Sequence, residues 1–206
     1  MIASTEFDDI IDELARQPLE TNKYRKKCGE GRSQTFGIVN RRCIPPDFSR
    51  QCWKRAYLYK LLLDFADKYV TIPYNAITVN QCYKSAPHKD KGNTGQSFLI
   101  AFGPFEGGSL KFGDASHNVK YTPMIADFSN TIHSVEDFTG DRYSLVFYTL
   151  DIYKRFKYSD LPSPSVKEVG GRWVFFRGDE AITDGLPHPL KGKIVKVLEP
   201  VEISFE

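Results

Sequence analysis

The stretch PHKDKGNTG places His88 two residues from Asp90, just before an apolar run. On an extended chain, residues i and i+2 lie on the same side, so both side chains can reach one ion. His133 follows between two predicted strands. Two imidazoles and one carboxylate are the facial ligand set that holds non-haem Fe(II) with coordination positions left open, and zinc can use the same atoms. On this reading His88, Asp90 and His133 are both the metal ligands and the catalytic residues. His-x-Asp alone is a weak signal, because short pairings of this kind recur by chance.

The stretch DRYSLVFY, starting at Asp141, gives the pair its context. Its period-two alternation puts Arg142, Ser144, Val146 and Tyr148 on one face of a strand, with Tyr143, Leu145 and Phe147 on the other. A guanidinium on a barrel wall suits bidentate binding of a dicarboxylate, with a hydroxyl completing the grip. The competing assignment is an ion pair with a nearby acid.

The elements that must position these groups divide into an α-rich start and a β-rich remainder. Phe7, Ile10, Ile11 and Leu14 fall at helical spacing after a Ser4 or Thr5 cap, and Pro18 closes the helix. The glycine-containing CGEGRSQT reads as a loop, Thr35 to Val39 as a short strand, and Pro45-Pro46 with Ser49 as the start of a second helix. In that helix Trp53, Tyr57, Leu61 and Phe65 form the apolar side, leaving Arg50, Lys54 and Arg55 for a partner. From about residue 70 the period is two, with predicted strands at 76–80, 97–102, 109–112, 119–121, 124–128 and 143–150. Gly107-Gly108 supplies a turn that needs positive φ. SDLPSPS reads as a loop, followed by β-structure at 173–176 and 193–205. Many short strands with frequent turns mean a sandwich or barrel.

The chain has 206 residues and a net charge of +2, and is long enough for one well-filled core. Its acidic N-terminal segment lacks the pattern of a secretory signal and no apolar run is long enough to span a bilayer, so a soluble, intracellular protein is expected, nuclear if eukaryotic. Cys28, Cys43, Cys52 and Cys82 form no C-x-x-C pair and read as reduced structural thiols. Charge is uneven: residues 1–22 hold six acids and one base, whereas 23–60 hold eleven Lys and Arg against Glu30 and Asp47. Such a block is either a solvated face or the footprint of a polyanion. Lys84, Lys89 and Lys91 around the His-x-Asp loop favour the polyanion. His117 reads as an exposed loop residue, His188 as part of a proline-flanked turn, and Trp53 and Trp173 as core anchors.

The order His88-x-Asp90, His133, Arg142-x-Ser144 resembles the 2-oxoglutarate/Fe(II) dioxygenases. More narrowly, HKDKGN-x-G-x-S, the G-x-F-x-G-G-x-L hairpin and GDRYSLVFY are similar to the TET/JBP branch, which oxidises the methyl group of 5-methylcytosine or thymine in nucleic acid. The likeness covers about residues 32 to 150. It implies an α+β, mainly β fold, a double-stranded β-helix or jelly roll with N-terminal helices packed on the sheet. Residues 1–158 then form the dioxygenase domain around a β-core at about 70–150, and 159–206 a C-terminal β-rich extension of the same domain. That extension either covers the barrel or contacts nucleic acid, and its alternation favours the first.

The resemblance also implies that His88, Asp90 and His133 hold iron and that Arg142, with Ser144, binds the distal carboxylate of 2-oxoglutarate; Asn80 joins them as a cofactor-binding candidate. Asn93 stands where relatives place a polar residue against the target base, and Lys91, Asn40, Arg41 and Arg42 are further substrate-binding candidates. The expected activity is hydroxylation of a pyrimidine 5-methyl group in DNA, 5-methylcytosine before thymine, with release of succinate and CO₂. A protein side-chain hydroxylase of the prolyl type would use the same cofactors, although relatives of that kind often carry Lys at the position of Arg142. An inactive jelly-roll module that only binds nucleic acid is a third reading, and a zinc hydrolase would have no use for Arg142.

Overall fold

The computed structural model describes residues 1–21, 29–41, 44–151 and 163–183, without the side chains of residues 40, 41, 44 and 45. The chain opens with a 3₁₀ turn at Ser4–Phe7 that runs into α1 (Asp8–Arg16). Phe7, Ile10 and Leu14 are buried as their spacing requires, and Ile11 is half-buried. Ser4 and Thr5 lie inside the 3₁₀ turn and neither caps the helix with its side chain. The entry is fixed instead by the Ile2 amide, which donates to the Tyr121 carbonyl at 2.7 Å, and Asp8 and Asp9 complement the helix dipole.

The expected CGEGRSQT loop is overturned from Gly29 onward, where the chain forms the long strand β1 (Gly29–Arg41). Its glycines suggest a loop, yet they serve close backbone approach to a neighbouring strand. Pro45 and Pro46 likewise do not start a helix but sit in β2 (Ile44–Phe48), an edge strand paired only with β1, where a missing N–H is tolerated.

The second helix is broken into α2 (Gln51–Lys54) and α3 (Ala56–Tyr69). Arg55, at the break, was expected on the basic outer side. It is buried, donating at 3.1 Å to Gln34 Oε1 and also to the Gln17 carbonyl. The true inner face of α3 is Leu58, Tyr59, Leu62, Phe65 and Ala66, a helical stripe displaced from the expected one. Tyr57 and Leu61 are half-buried on its flank. The buried Cys52 thiol receives the Gly37 amide at 3.1 Å, and burial pushes its pKa up to about 12, as befits a structural thiol.

The β-rich part contains β3 (Ala76–Ser85), β4 (Asn93–Phe102), β5 (Phe105–Gly107), β6 (Leu110–Phe112), β7 (Ala115–His117), β8 (Met124–Ala126), β9 (His133–Val135), β10 (Phe138–Gly140) and β11 (Tyr143–Leu150). The predicted strand at 119–121 is reduced to one bridge between Lys120 and Ala101, because Tyr121 takes a φ of +55° and turns the chain. A six-stranded sheet in the order β2-β1-β3-β11-β4-β8 carries the helices on one side. There Phe7 stacks on Phe102 at 4.4 Å and Phe65 on Phe147 at 6.0 Å. A smaller sheet, β7-β6-β9, and the β5-β10 pair lie on the other side, enclosing a second core around Leu99, Phe105, Leu110 and Phe128. This is the double-stranded β-helix expected, with N-terminal helices on the larger sheet.

After residue 162, β12 (Pro164–Val169), β13 (Arg172–Arg177) and β14 (Glu180–Ile182) make a third small sheet, so the end of SDLPSPS is strand rather than loop. This sheet packs on the helices, not over the barrel: Trp173 stacks on Tyr57 at 5.4 Å, and Phe175 meets Phe48 edge-on at 5.3 Å. Trp53 and Trp173 are, as expected, packed against the core. The predicted strand at 193–205 and His188 lie outside the described residues. Among the described residues, no helix is long and apolar enough to cross a membrane.

The pairing of β1 with β3 is irregular at one point. Arg32 pairs with Gln81 and Glu30 with Lys84, so Gly31 faces both Cys82 and Tyr83 across a β-bulge. Cys82 takes a φ of +48°, and its amide donates to the Arg142 carbonyl at 2.7 Å. Gly31 has a φ of +122°, and a Cβ there would lie 2.6 Å from Tyr83 Cα. Gly31→Val is therefore expected to cost at least ~2 kcal/mol, whereas Cys82→Gly, which accepts the same backbone, should change stability by less than ~1 kcal/mol. Urea unfolding of the two variants checks both values.

Candidate metal centre and cavity

His88 and His133 come from different parts of the fold and are joined through their backbones. The His88 amide donates to the His133 carbonyl at 3.0 Å, and the His133 amide returns a bond to the His88 carbonyl at 2.9 Å. The Asp90 amide donates to the Phe128 carbonyl at 3.0 Å, fixing the third member. Each imidazole is then oriented by its Nδ1, which lies 2.7 Å from the Ala86 carbonyl in His88 and 3.0 Å from the Thr131 carbonyl in His133. An Nδ1–H donated to a carbonyl leaves Nε2 with a free lone pair, the tautomer a metal requires.

Both Nε2 atoms face Asp90, at 3.5 Å from Oδ1 for His88 and 3.7 Å from Oδ2 for His133. One ligand atom from each of the three residues lies within 4.8 Å of the others. Burial pulls the His133 pKa below its ordinary value, which keeps that ring neutral and available as a ligand.

The cluster opens into a cavity of about 360 Å³ between the two sheets. Arg142, Ser144, Val146 and Tyr148 all line it, while Tyr143, Leu145 and Phe147 join the helix-side core, as the alternation of β11 requires. Arg142 is 2% exposed and packs against the rings of Phe105 and Phe138, whose centroids are 5.4 Å and 5.7 Å from its Cζ. Its Nε donates to the Gly108 carbonyl at 3.2 Å, but its buried Nη2 has no hydrogen-bond partner among the described residues. Burial pulls its pKa down to about 10, so it stays a cation at neutral pH. The alternative of a paired acid is thereby removed: no carboxylate among the described residues bridges to this guanidinium.

Gly108 is what makes room for it. Both Gly107 and Gly108 have positive φ, as the turn demands, and a Cβ on Gly108 would stand 2.8 Å from Arg142 Nε. Asn80 lies on the neighbouring strand opposite Ser144 and donates to its Oγ at 3.1 Å. A buried cation with an unfilled donor, a hydroxyl beside it and a two-histidine, one-carboxylate cluster in one cavity fit Fe(II) together with 2-oxoglutarate.

The substrate candidates separate. Asn93 and Lys91 line the cavity at its mouth, with the Asn93 amide bonded to the Asp90 carbonyl at 2.9 Å. Asn40 and Arg41 belong to the far end of β1, but their side chains, and Arg42 as a whole, lie outside the described residues. So do Lys23, Arg25, Lys26 and Lys27 of the basic segment. Of its other members, Arg55 is buried and Lys60 is bonded to Asp64. Lys84 is paired with Asp137. His117 is exposed as expected but belongs to strand β7 rather than a loop, and it is no part of the cluster.

Sequence reasoning missed Tyr83, Ser85 and Thr78 in the cavity wall. Thr78 and Asn80 share one parity on β3, whereas Tyr83 and Ser85 have the other; the bulge at Cys82 reverses the alternation and turns both inward. The Tyr83 ring lies over Gly29, where a Cβ would stand 2.9 Å from its Cζ. Thr78 Oγ1 lies 3.1 Å from the Tyr148 hydroxyl, tying the two strands together within the wall. The only signal in the sequence was the pair of glycines, Gly29 and Gly31, opposite the end of β3.

No family model and no curated protein matches the sequence. Solved structures do match in shape. NgTET1 in complex with 5mC DNA is 15% identical, covering 73% of this chain and 69% of that one with a TM-score of 0.50. An oxidoreductase of the 2OG-Fe(II) oxygenase family from Burkholderia pseudomallei is 20% identical, covering 72% and 81% with a TM-score of 0.49. A Pseudomonas putida prolyl-4-hydroxylase is 15% identical, covering 71% and 86% with a TM-score of 0.43. At such identities the likeness is one of fold.

The geometry predicts that Asp90→Asn and His133→Ala each weaken binding of Mn(II), a redox-stable probe, by about 100-fold or more while leaving the circular dichroism spectrum unchanged. Equilibrium dialysis of the purified variants measures it.

Proposed function

We propose that this chain is a 2-oxoglutarate/Fe(II)-dependent dioxygenase that hydroxylates the 5-methyl group of a pyrimidine base in nucleic acid, with 5-methylcytosine in DNA as its foremost substrate. The observation that carries the cofactor reading is the unfilled Nη2 of a buried Arg142 in the cavity that holds the metal cluster. A buried donor left without a partner costs about 1–3 kcal/mol, and more when charged, so a carboxylate bound there gains strongly from the pairing.

His88, Asp90 and His133 would hold the iron, and Arg142 with Ser144 the far carboxylate of 2-oxoglutarate. Asn80 would keep the Ser144 hydroxyl aligned by its bond to Oγ. The bound iron and cosubstrate would supply O₂ activation, one oxygen atom entering succinate as CO₂ leaves and the other entering the substrate as a hydroxyl. The remaining tasks fall to the chain itself: holding the ligands in register, keeping bulk water from the cavity and placing one methyl group near the metal.

The nucleic-acid reading is supported by Lys89, Lys91 and Asn93 at the cavity mouth, and by the fold neighbour whose structure contains 5mC DNA. A base in a duplex cannot reach a metal between two sheets, so the target must be flipped out or single-stranded. Asn93, which offers both a donor and an acceptor, would then meet the edge of the base, while Tyr83 and Tyr148 bound the space around it.

With Fe(II), 2-oxoglutarate and O₂, an oligonucleotide containing 5-methylcytosine is expected to gain one oxygen by nucleoside mass spectrometry, and Asp90→Ala to abolish the gain. Thymine-only strands and RNA in the same panel set the substrate range. Succinate release with peptides but with no oligonucleotide would reject the nucleic-acid reading in favour of a protein hydroxylase. Absence of a visible charge-transfer band when Fe(II) and 2-oxoglutarate are added anaerobically would reject the cofactor reading. Gly108→Ala, which drives a methyl group against Arg142, should raise the KM for 2-oxoglutarate about ten-fold, equivalent to ~1.4 kcal/mol, with Mn(II) affinity unchanged.

A further inference from the structure

The cavity mouth continues into a second groove of about 500 Å³ that shares Lys89, Lys91 and Asn93 with it and extends past Thr94 to Asp127 and Asn130. Every side chain lining this groove is polar, and Gly95, at a φ of +69° with no atom near its Cβ position, leaves bare backbone at the surface. A substrate that fills the cavity with one unit of a polymer must lead its next unit out over the mouth. This groove is continuous with the mouth on the side of the metal ligand Asp90.

Its charge is also distinctive. Lys89 and Lys91 are exposed and in no ion pair among the described residues, whereas Lys84 is held by Asp137 and Lys60 by Asp64. The acid in the groove, Asp127, stays ionised but forms no ion pair with either lysine among the described residues. Its carboxylate accepts from the Ser129 amide and hydroxyl and from the Asn130 amide and side chain, and these bonds hold its pKa below the ordinary value.

We propose that this groove takes the sugar–phosphate backbone next to the reacting nucleotide, with Lys89 and Lys91 meeting its phosphates. The inference rests on the nucleic-acid reading above and deepens it. It locates the strand on the β4 and 127–130 side of the mouth and assigns Thr94, Ser129 and Asn130 to its polar wall. A cationic groove that tracks the backbone beside a base pocket is the general solution for holding single strands.

The test is equilibrium binding by fluorescence anisotropy, with a labelled oligonucleotide carrying one 5-methylcytosine, across a salt series. Each lost phosphate contact flattens the plot of log K against log salt by about 0.7 to 0.9, so Lys89→Ala with Lys91→Ala should flatten it by nearly twice that. Asn130→Lys should tighten binding and steepen the plot by about one contact. Ala15→Lys, the same charge gain on the exposed side of α1, should do neither. Equal effects of Asn130→Lys and Ala15→Lys, or an unchanged slope in the double variant of a protein that still hydroxylates oligonucleotides, would overturn this inference alone. A wild-type protein that binds no oligonucleotide but hydroxylates peptides would overturn the nucleic-acid reading and the groove with it.

Discussion

The reciprocal backbone bonds between His88 and His133 are the junction on which the rest of the site depends. His88 follows the end of β3 in the larger sheet, and His133 begins β9 in the smaller one. The two bonds form an isolated antiparallel bridge between those sheets, and the ring centroids meet at 4.3 Å because of it. Ligand geometry is thus set by main-chain pairing, which cannot drift without breaking two hydrogen bonds, and side-chain rotamers need only complete it. Carbonyls at Ala86 and Thr131, each two residues before its histidine, then choose the tautomer.

Arg142 is held by a complementary constraint. Burying a guanidinium is costly, and here neither water-exposed surface nor any carboxylate among the described residues offsets that cost. Two aromatic faces and one carbonyl bond recover part of it, and a bare glycine at position 108 supplies the space. A folded chain keeps an arrangement like this most economically when a ligand completes it. The same cavity contains the His88, Asp90 and His133 cluster, so the unpartnered donor and the three candidate ligands face one space.

Where the sequence was legible, one periodicity governed the local structure. β11 was readable to its ends, with Arg142, Ser144, Val146 and Tyr148 on the cavity side, because a strand between two packed layers must alternate. The clustering of His88, Asp90 and His133 was readable because a candidate metal-ligand set restricts residue types and spacing. Misreadings came where two demands fell on one residue. Gly29 and Gly31 signalled a loop but serve strand contact; Pro45 and Pro46 signalled a helix start but occupy an edge strand. Arg55 signalled a solvated face, yet Gln34 and the Gln17 carbonyl draw it into the core and split the helix. Gly29, Gly31 and Arg55 answer to partners distant in sequence, whereas Pro45 and Pro46 answer to the adjacent strand β1.

The bulge at Cys82 acts on the arginine and on the cavity wall together. An unbroken strand would give Tyr83 the parity of Ile77 and Val79, toward the helices, and the cavity would lose one wall. The reversed alternation instead places Tyr83 and Ser85 inside, and the same irregularity ties the Cys82 amide to the Arg142 carbonyl. A single extra residue on β3 therefore affects both the buried Arg142 and the route toward His88. It is permitted only because Gly31 accepts a φ of +122° opposite it. The apolar alternation that builds the jelly roll is generic and tolerates many sequences, whereas the exceptions to it, two glycines and one strained cysteine, shape the cavity. The shape of the cavity is thus written where the folding pattern is interrupted, and its physical basis is backbone geometry as much as side-chain chemistry.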